Sequence, residues 1–405
     1  MNPYLKRMKE LEDEEVMRKI CRATVPSLEA AASAYASLYP AIGSSITTTL
    51  GSLFRPDVLL SRVRSNSAPP KSASHDQELQ PIPQAVTVLP VYEFMAGNAI
   101  FRRTLLSDLD SLSTCQSSWI GTFLTLTSWI LTNASSSSSG RTLSYASLVL
   151  EMILVLMEDE HCMDILTSRI ASNVQLCSQR QPRLPALPPG RPLLCDILDC
   201  CNLWLRHNLH RRLATQSYSK CVWICHRIVW YLQRERIRLD YHWKELWVSV
   251  IGLFSFVATK FDTLITTGGI GQLILDGLAL FEAAIVAAEA YLPSAHAVHE
   301  LVYELVRNST ILEKQEGILK SLEVPPHKEE ALRYIVDVTS YYNKKISATG
   351  ANLKAASDAM RIIVQEVERN GLHRPENAAE KEPRLRAEEV LDFARYACGD
   401  TLAGA

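Results

Sequence analysis

The sequence has 405 residues, 47% of them hydrophobic and 21% charged, enough apolar mass to bury a large core and too much for a disordered chain. With 42 basic against 44 acidic residues the formal net charge is -2, which excludes the overall pull toward nucleic acid that a strongly basic domain exerts. Ten cysteines lack the density of a small secreted disulfide framework, so a reducing compartment is expected.

In chain order, Met1 to Arg7 runs into the charged stretch Glu10 to Glu15 where a secretory signal needs an apolar run, so no signal peptide is expected. Residues 1–64 read as an N-terminal helical segment. Residues 65–84 read as a flexible linker, since Ser65, Asn66, Ser67, Pro69, Pro70, Ser72 and Ser74 cannot pack a core economically. Ser65 and Ser67, flanked by Arg62 and Arg64, could accept phosphate. Residues 85–178 read as helical repeats interrupted by the serine insert Ser135 to Gly140. Residues 179–192 form a linker carrying Pro182, Pro185, Pro188, Pro189 and Pro192. It is either a stiff polyproline spacer or a ligand for an SH3-like groove.

The segment 193–370 is strongly periodic. Leu194, Ile197, Leu198, Cys201, Leu205 and Leu209 place one apolar stripe on a helix over Leu193 to Leu213, and Val222, Cys225, Ile228, Val229 and Leu232 mark the next over Tyr218 to Arg238. A third helix follows over Trp243 to Lys260. Gly269 to Leu292 is apolar nearly all round and should be central, whereas Val324 to Lys345 alternates with charge and should be half solvated. Residues 371–405 are a polar tail with a short helix near 387–397. Strand and hairpin signals are absent. The reading is an all-α, armadillo/HEAT-like α-solenoid of divergent helical repeats with disordered loops. The apolar runs Trp119 to Leu131 and Leu246 to Thr259 fall short of the roughly 18–20 residues that cross a bilayer. Leu273 to Leu292 carries Asp276, Glu282 and Glu289. All three are read as buried core helices, with no transmembrane helix expected.

Catalytic motifs fail one at a time. There is no phosphate loop and no nucleophile elbow, and Gly268-Gly269-Ile270-Gly271 reads as a turn that starts a helix. His299-Glu300-Leu301-Val302-Tyr303 has tyrosine where a zinc protease needs its second histidine. No catalytic residue, cofactor or metal ligand set is assigned. Cys195, Cys200, Cys201, His207, His210, Cys221, Cys225 and His226 form the densest group of soft ligands, read as packed core cysteines against a metal site because paired C-x2-C spacing is missing. Charge is locally uneven. Between Leu205 and Lys244 nine basic residues, Arg206, Arg211, Arg212, Lys220, Arg227, Arg234, Arg236, Arg238 and Lys244, face only Glu235 and Asp240. From Gln272 to Val306 the acids Asp276, Glu282, Glu289, Glu300 and Glu304 meet no lysine or arginine. Either the two regions complement each other inside the fold, or the basic one, with Arg227, Arg234, Arg236, Arg238 and Lys244, is a surface for an acidic partner or anionic lipid.

The string Arg238-Leu239-Asp240-Tyr241-His242-Trp243-Lys244-Glu245-Leu246-Trp247 resembles the R-L-x-Y-x-W-x-E-L-W stretch of the armadillo-like helical domain-containing protein 3 family. Tyr291-Leu292-Pro293-Ser294 followed by His299 to Arg307 is similar to that family's F-L-P-S and D-E-L-Y-Y-E-I-I-R at the matching distance. A weaker likeness lies at Arg141, Tyr145, Leu148 and Met157-Glu158-Asp159. The resemblance runs from about Leu89 to Lys345. His299 replaces the family's acid, Tyr303 keeps one of its two tyrosines, and the N-terminal helical region is shorter. Trp243 and Trp247, one helical turn apart, are expected to pack neighbouring repeats together, as are Tyr241 and Tyr303. Glu245, Glu300, Glu304 and Arg307 are expected in internal ion pairs or a partner contact. The resemblance implies a non-enzymatic adaptor, cytoplasmic and peripheral on Golgi membranes, binding a phosphatidylinositol 4-kinase of the beta class and supporting recruitment of an Arf exchange factor.

Overall fold

The computed structural model describes residues 3–38, 83–107, 118–135, 140–170, 174–178, 180–185, 190–349 and 356–374. The linker over 65–82, the inner serines of 136–139, the Pro188-Pro189 step and the tail beyond 374 lie outside these residues. Among the described residues the chain forms α1 (Pro3–Lys9), α2 (Glu14–Leu38), α3 (Val88–Gly97), α4 (Ala99–Ser107), α5 (Trp119–Asn133), α6 (Gly140–Met157), α7 (Glu160–Ser168) and α8 (Leu193–His207). It continues with α9 (Thr215–Arg234), α10 (Trp243–Leu264), α11 (Ile270–Val286), α12 (Ala288–Tyr291), α13 (Ala295–Arg307), α14 (Ser309–Ser321), α15 (Glu330–Ala348) and α16 (Ala356–Asn370). No strand occurs among them, only an isolated bridge between Ile170 and Pro192.

Local chemistry sets the helix ends. The Ser118 hydroxyl accepts from the Gly121 amide at 3.2 Å at the start of α5, and the Asp159 carboxylate accepts from His161 at 3.1 Å at the start of α7. Gly269, at φ 85, turns the chain into α11, as the glycine-rich sequence suggests. Two helices close with a left-handed residue that is not glycine. Arg236 after α9 and Glu323 after α14 both have φ 54, and in each case the next amide reaches back five residues, Ile237 to Leu232 at 2.9 Å and Val324 to Leu319 at 3.1 Å.

The helices stack in two layers. In one, α2, α5, α8, α10 and α14 lie side by side; in the other, α3, α6, α9, α11 and α15 do; and α5/α6, α8/α9, α10/α11 and α14/α15 pair across the layers. Each pair buries its apolar stripe against its neighbours, the packing of an armadillo-like α-solenoid. A single core runs through the stack, with Trp119, Trp204, Trp243 and Trp247 among its largest fully buried side chains. α11 lies between α9 and α15, as its all-round apolarity requires, while α15 exposes Arg333, Asp337 and Lys344.

Boundaries shift for identifiable reasons. The helix expected over Leu193 to Leu213 stops at His207, because the Asn208 amide folds back onto the carbonyls of Leu131 at 2.6 Å and Trp204 at 3.1 Å. The helix expected over Gly269 to Leu292 breaks at Ala287, which lets Tyr291 meet the Trp243 ring edge-on at 4.9 Å. The segment starting at Val324 first forms a 3₁₀ turn, Pro326–Lys328, before α15. Two helices, α6 and α10, are long and apolar enough by length and composition to cross a membrane, where counting uninterrupted apolar runs predicts none. The apolar run Leu246 to Thr259 ends at Glu245 and Lys260, but the helix continues through both. In the fold α6 lies between α3 and α9, and α10 between α8 and α14.

The described residues leading from α7 into the proline-rich linker are held against α5. The Gln175 and Cys177 amides donate to the hydroxyls of Thr125 at 3.1 Å and Ser128 at 2.9 Å, and the Arg180 guanidinium donates to the Thr132 carbonyl at 2.8 Å. Thr125 and Ser128 pass their own protons to carbonyls of α5, so each hydroxyl is used as donor and acceptor.

Candidate functional site

Arg227, Trp230, Tyr231 and Arg234 recur at helical spacing along α9 and therefore share a face. The guanidinium carbons of Arg227 and Arg234 stand 4.6 Å and 4.7 Å from the Trp230 ring centre and bracket the indole. The Tyr231 hydroxyl donates to Asp164, and Arg234 pairs with Glu160 at 2.6 Å and Glu235 at 2.8 Å. Arg236 is exposed at the left-handed cap, and Arg238 donates to the Glu289 carbonyl at 3.3 Å. Lys244 lies 3.7 Å from Glu300. This edge, built by the ends of α7, α9 and α12 and the α9–α10 loop, is where the exposed part of the basic stretch collects.

It is smaller than the sequence suggests. Arg227 is buried, its Nε 3.4 Å from the Met157 carbonyl, so it braces Trp230 and offers no free surface. Arg206 pairs with Glu245 and donates to the Ser249 hydroxyl at 2.9 Å, and Lys220 is buried 3.0 Å from Glu151. Arg211 and Arg212 are exposed at the opposite end of α9, about 30 Å of helix away from Arg234. A stretch basic in sequence is thus divided between internal pairs and two separate ends. Lys244 with Glu300 joins the basic and acidic regions across neighbouring repeats, whereas Arg238 meets only the backbone of Glu289, whose carboxylate pairs with Arg374 at 3.0 Å.

The motif aromatics hold this edge in place. Trp243 stacks on Trp247 at 5.6 Å and meets Tyr241 edge-on at 5.4 Å, and Trp247 reaches Phe281 of α11 at 6.0 Å. The Trp243 indole donates to the Leu239 carbonyl at 3.0 Å, and the Leu239 amide to that of Tyr291 at 3.1 Å. Tyr303 and Glu304 are buried on α13, with Arg307 5.9 Å over the Tyr303 ring and 3.7 Å from Glu304. Burial holds the Glu304 carboxyl above its ordinary range, against the pull of Arg307 and Lys244.

A buried polar network was not legible as a unit. Arg191 pairs with Asp196 and, at 3.0 Å, with Asp199. Asp199 accepts from the Tyr241 hydroxyl at 3.0 Å and faces His242 Nε2 at 2.9 Å, while Asn202 donates to the Tyr241 oxygen at 2.7 Å. Burial pushes the Asp196 carboxyl up to about 6 against the pull of Arg191. The other His242 nitrogen, Nδ1, has no hydrogen-bond partner among the described residues. The network ties α8 to the α9–α10 loop.

The soft-ligand cluster resolves into parts. The Sγ atoms of Cys201, Cys221 and Cys225 lie within 4.8 Å of one another, all buried. Cys195 turns to the Asp240 carbonyl and Cys200 to that of Leu124, each at 3.8 Å, and His207, His210 and His226 do not join the trio. Burial and the neighbouring Arg227 lower His226 to about 4.

Residues 191–379 match the family described as armadillo-like helical domain-containing protein 3, C-terminal. A Schizosaccharomyces pombe protein described as a UPF0588 membrane protein is 27% identical over 353 residues, which is 85% of this chain and 54% of that protein. Proteins described as armadillo-like helical domain-containing protein 3 are similar over shorter stretches. The one from Danio rerio is 33% identical over 119 residues, 29% of this chain and 17% of its own length. The one from Homo sapiens is 27% identical over 171 residues, 40% of this chain and 25% of its own. The chain therefore spans about half of the fission-yeast relative and a quarter or less of these animal ones. No solved structure matches it.

Proposed function

Because the domain over residues 191–379 belongs to the armadillo-like helical domain-containing protein 3 family, we propose that the chain is a non-enzymatic interaction scaffold on Golgi membranes. In this reading it supports recruitment of a phosphatidylinositol 4-kinase of the beta class and of an Arf exchange factor, and through them Golgi maintenance and secretion. The observation that carries a binding role is the α9–α10 edge, where Arg234, Arg236 and Arg238 are exposed beside a Trp230 ring that two guanidinium groups approach within 4.7 Å of its centre. Tryptophan, tyrosine and arginine are the residues that dominate interface energetics. The edge also rests on a rigid base, since the Trp243–Trp247–Tyr291 contacts fix the loop that presents it.

Affinity capture of the tagged full chain from cells tests the reading, comparing wild type with the triple variant Arg234→Glu, Arg236→Glu, Arg238→Glu. Recovery of the kinase or the exchange factor by wild type and its loss in the folded variant is the expected result. Recovery of neither by a folded wild-type chain overturns the family-derived role.

A second reading is direct binding of anionic lipid by the same edge, favoured by the exposure of Arg236 and Arg238 and by the fission-yeast relative described as a membrane protein. Flotation with phosphatidylserine-containing vesicles, without any partner protein, separates the two. Binding that disappears in the triple variant supports the lipid reading, and no binding removes it.

A further inference from the structure

We propose that Cys201, Cys221 and Cys225 form a site for one soft monovalent metal ion, Cu(I), in the seam between α8 and α9. The three thiols come from two helices that pack directly on each other: Cys201 from α8, and Cys221 and Cys225 one turn apart on α9. Their sulfurs lie within 4.8 Å of one another, so some point lies within about 2.8 Å of all three, and shifts of roughly half an ångström reach the approximately 2.3 Å of a metal–thiolate bond.

Donor type and surroundings select the ion. Thiolate sulfur favours Cu(I), zinc and iron–sulfur clusters over hard cations. Zinc wants four ligands, and no histidine or carboxylate joins the trio. All three side chains have no solvent-exposed surface, which leaves water no route to a fourth position. Cu(I) is satisfied by two or three sulfurs and so needs no fourth ligand in this dry seam. Cys221 also reaches across the seam, donating to the Cys201 backbone carbonyl at 3.6 Å, so the thiols of the two helices already face one another. Metal binding would displace thiol protons, so uptake should release protons and strengthen as pH rises.

The remaining buried cysteines set a contrast within the same chain. Burial raises Cys162 and Cys195 to about 12, and neither has a second sulfur in a group of this kind. They behave as small hydrophobes.

The test uses the full chain without oxygen. Cu(I), supplied as its acetonitrile complex, is added to the native chain in one arm and is present during refolding in the other, because a sealed site fills only as the helices close. Bicinchoninate then strips weakly held copper, and the metal retained after desalting is measured by elemental analysis. The expected result is roughly one copper per chain in the refolding arm, a first shell of sulfur alone by X-ray absorption, and roughly tenfold less copper in Cys225→Ser. Cys225→Ala leaves no buried hydroxyl and carries the comparison where the serine variant does not fold, while Cys162→Ser should retain copper like wild type. Wild type that retains only traces in both arms, or folded Cys225→Ala that retains as much as wild type, overturns the site.

Discussion

Gly277 of α11 faces Phe254 of α10 so closely that a Cβ placed there would stand 2.7 Å from Phe254 Cζ and 2.9 Å from Cε1. Gly277→Ala therefore sets two effects against each other. Replacing a mid-helix glycine by alanine ordinarily stabilises by about 1 kcal/mol. Forcing a methyl into a filled core costs about 1–3 kcal/mol, and Phe254, fully buried 6.0 Å from Phe281, has little room to retreat. Steric overlap should win, for a net loss of about 1–2 kcal/mol. Gly317 in α14 supplies the control, since nothing lies within 4 Å of its virtual Cβ, and Gly317→Ala should stabilise by about 0.5–1 kcal/mol. Urea unfolding followed by circular dichroism measures both, with slopes expected to match wild type. Phe254→Leu combined with Gly277→Ala should recover at least about 1 kcal/mol relative to the sum of the single changes. A Gly277→Ala chain as stable as wild type, or a double variant that is simply additive, would refute the close approach of α10 and α11.

Three further outcomes follow from buried charge and backbone geometry. Lys220→Met strands the Glu151 carboxylate now 3.0 Å from the ammonium and should cost about 3–5 kcal/mol in a urea melt, while adding Glu151→Leu should restore most of it. Arg236→Gly relieves a left-handed backbone and should raise the thermal midpoint, by roughly 1 kcal/mol of stability, while weakening capture by the α9–α10 edge; a lower midpoint would contradict the cap geometry. His226 is held neutral, its pKa lowered from 6.5 to about 4 by burial and Arg227. A depressed folded value means its contribution is complete above pH 6.5 and fades as pH falls toward 4. Wild type should thus lose on the order of 2–3 kcal/mol relative to His226→Gln across that window, and parallel pH profiles for the two chains would count against it.

The helices of the central stack were legible because their stripes are long and regular. Leu194, Ile197, Leu198, Cys201 and Leu205 all lie buried in α8, and the tryptophans of the motif bury at one seam. What local sequence could not convey was where a helix stops when a distant group intervenes, as the Leu131 carbonyl does for Asn208. The basic stretch misled for a related reason. Periodicity shows that Arg227 and Arg234 share a face, but only packing reveals that Met157 covers the first and that Glu245 and Glu151 occupy Arg206 and Lys220. Trp230 could have been found from its spacing between two arginines. The gathering of Cys201 with Cys221 and Cys225 could not, because half of it is a helix contact between residues twenty or more positions apart.

The contacts joining α5 to α8 and α6 to α9 run without interruption past residue 191, where the family match begins. A fragment expressed from that point would bare the flanks of α8 and α9, and with them the Asn208 amide that now holds Leu131. A bared apolar flank of this kind favours contact with other surfaces. Copies of such a fragment should therefore self-associate, which light scattering would register as a particle size that grows with concentration. In the full chain the helices before residue 170 cover those flanks and keep them out of water.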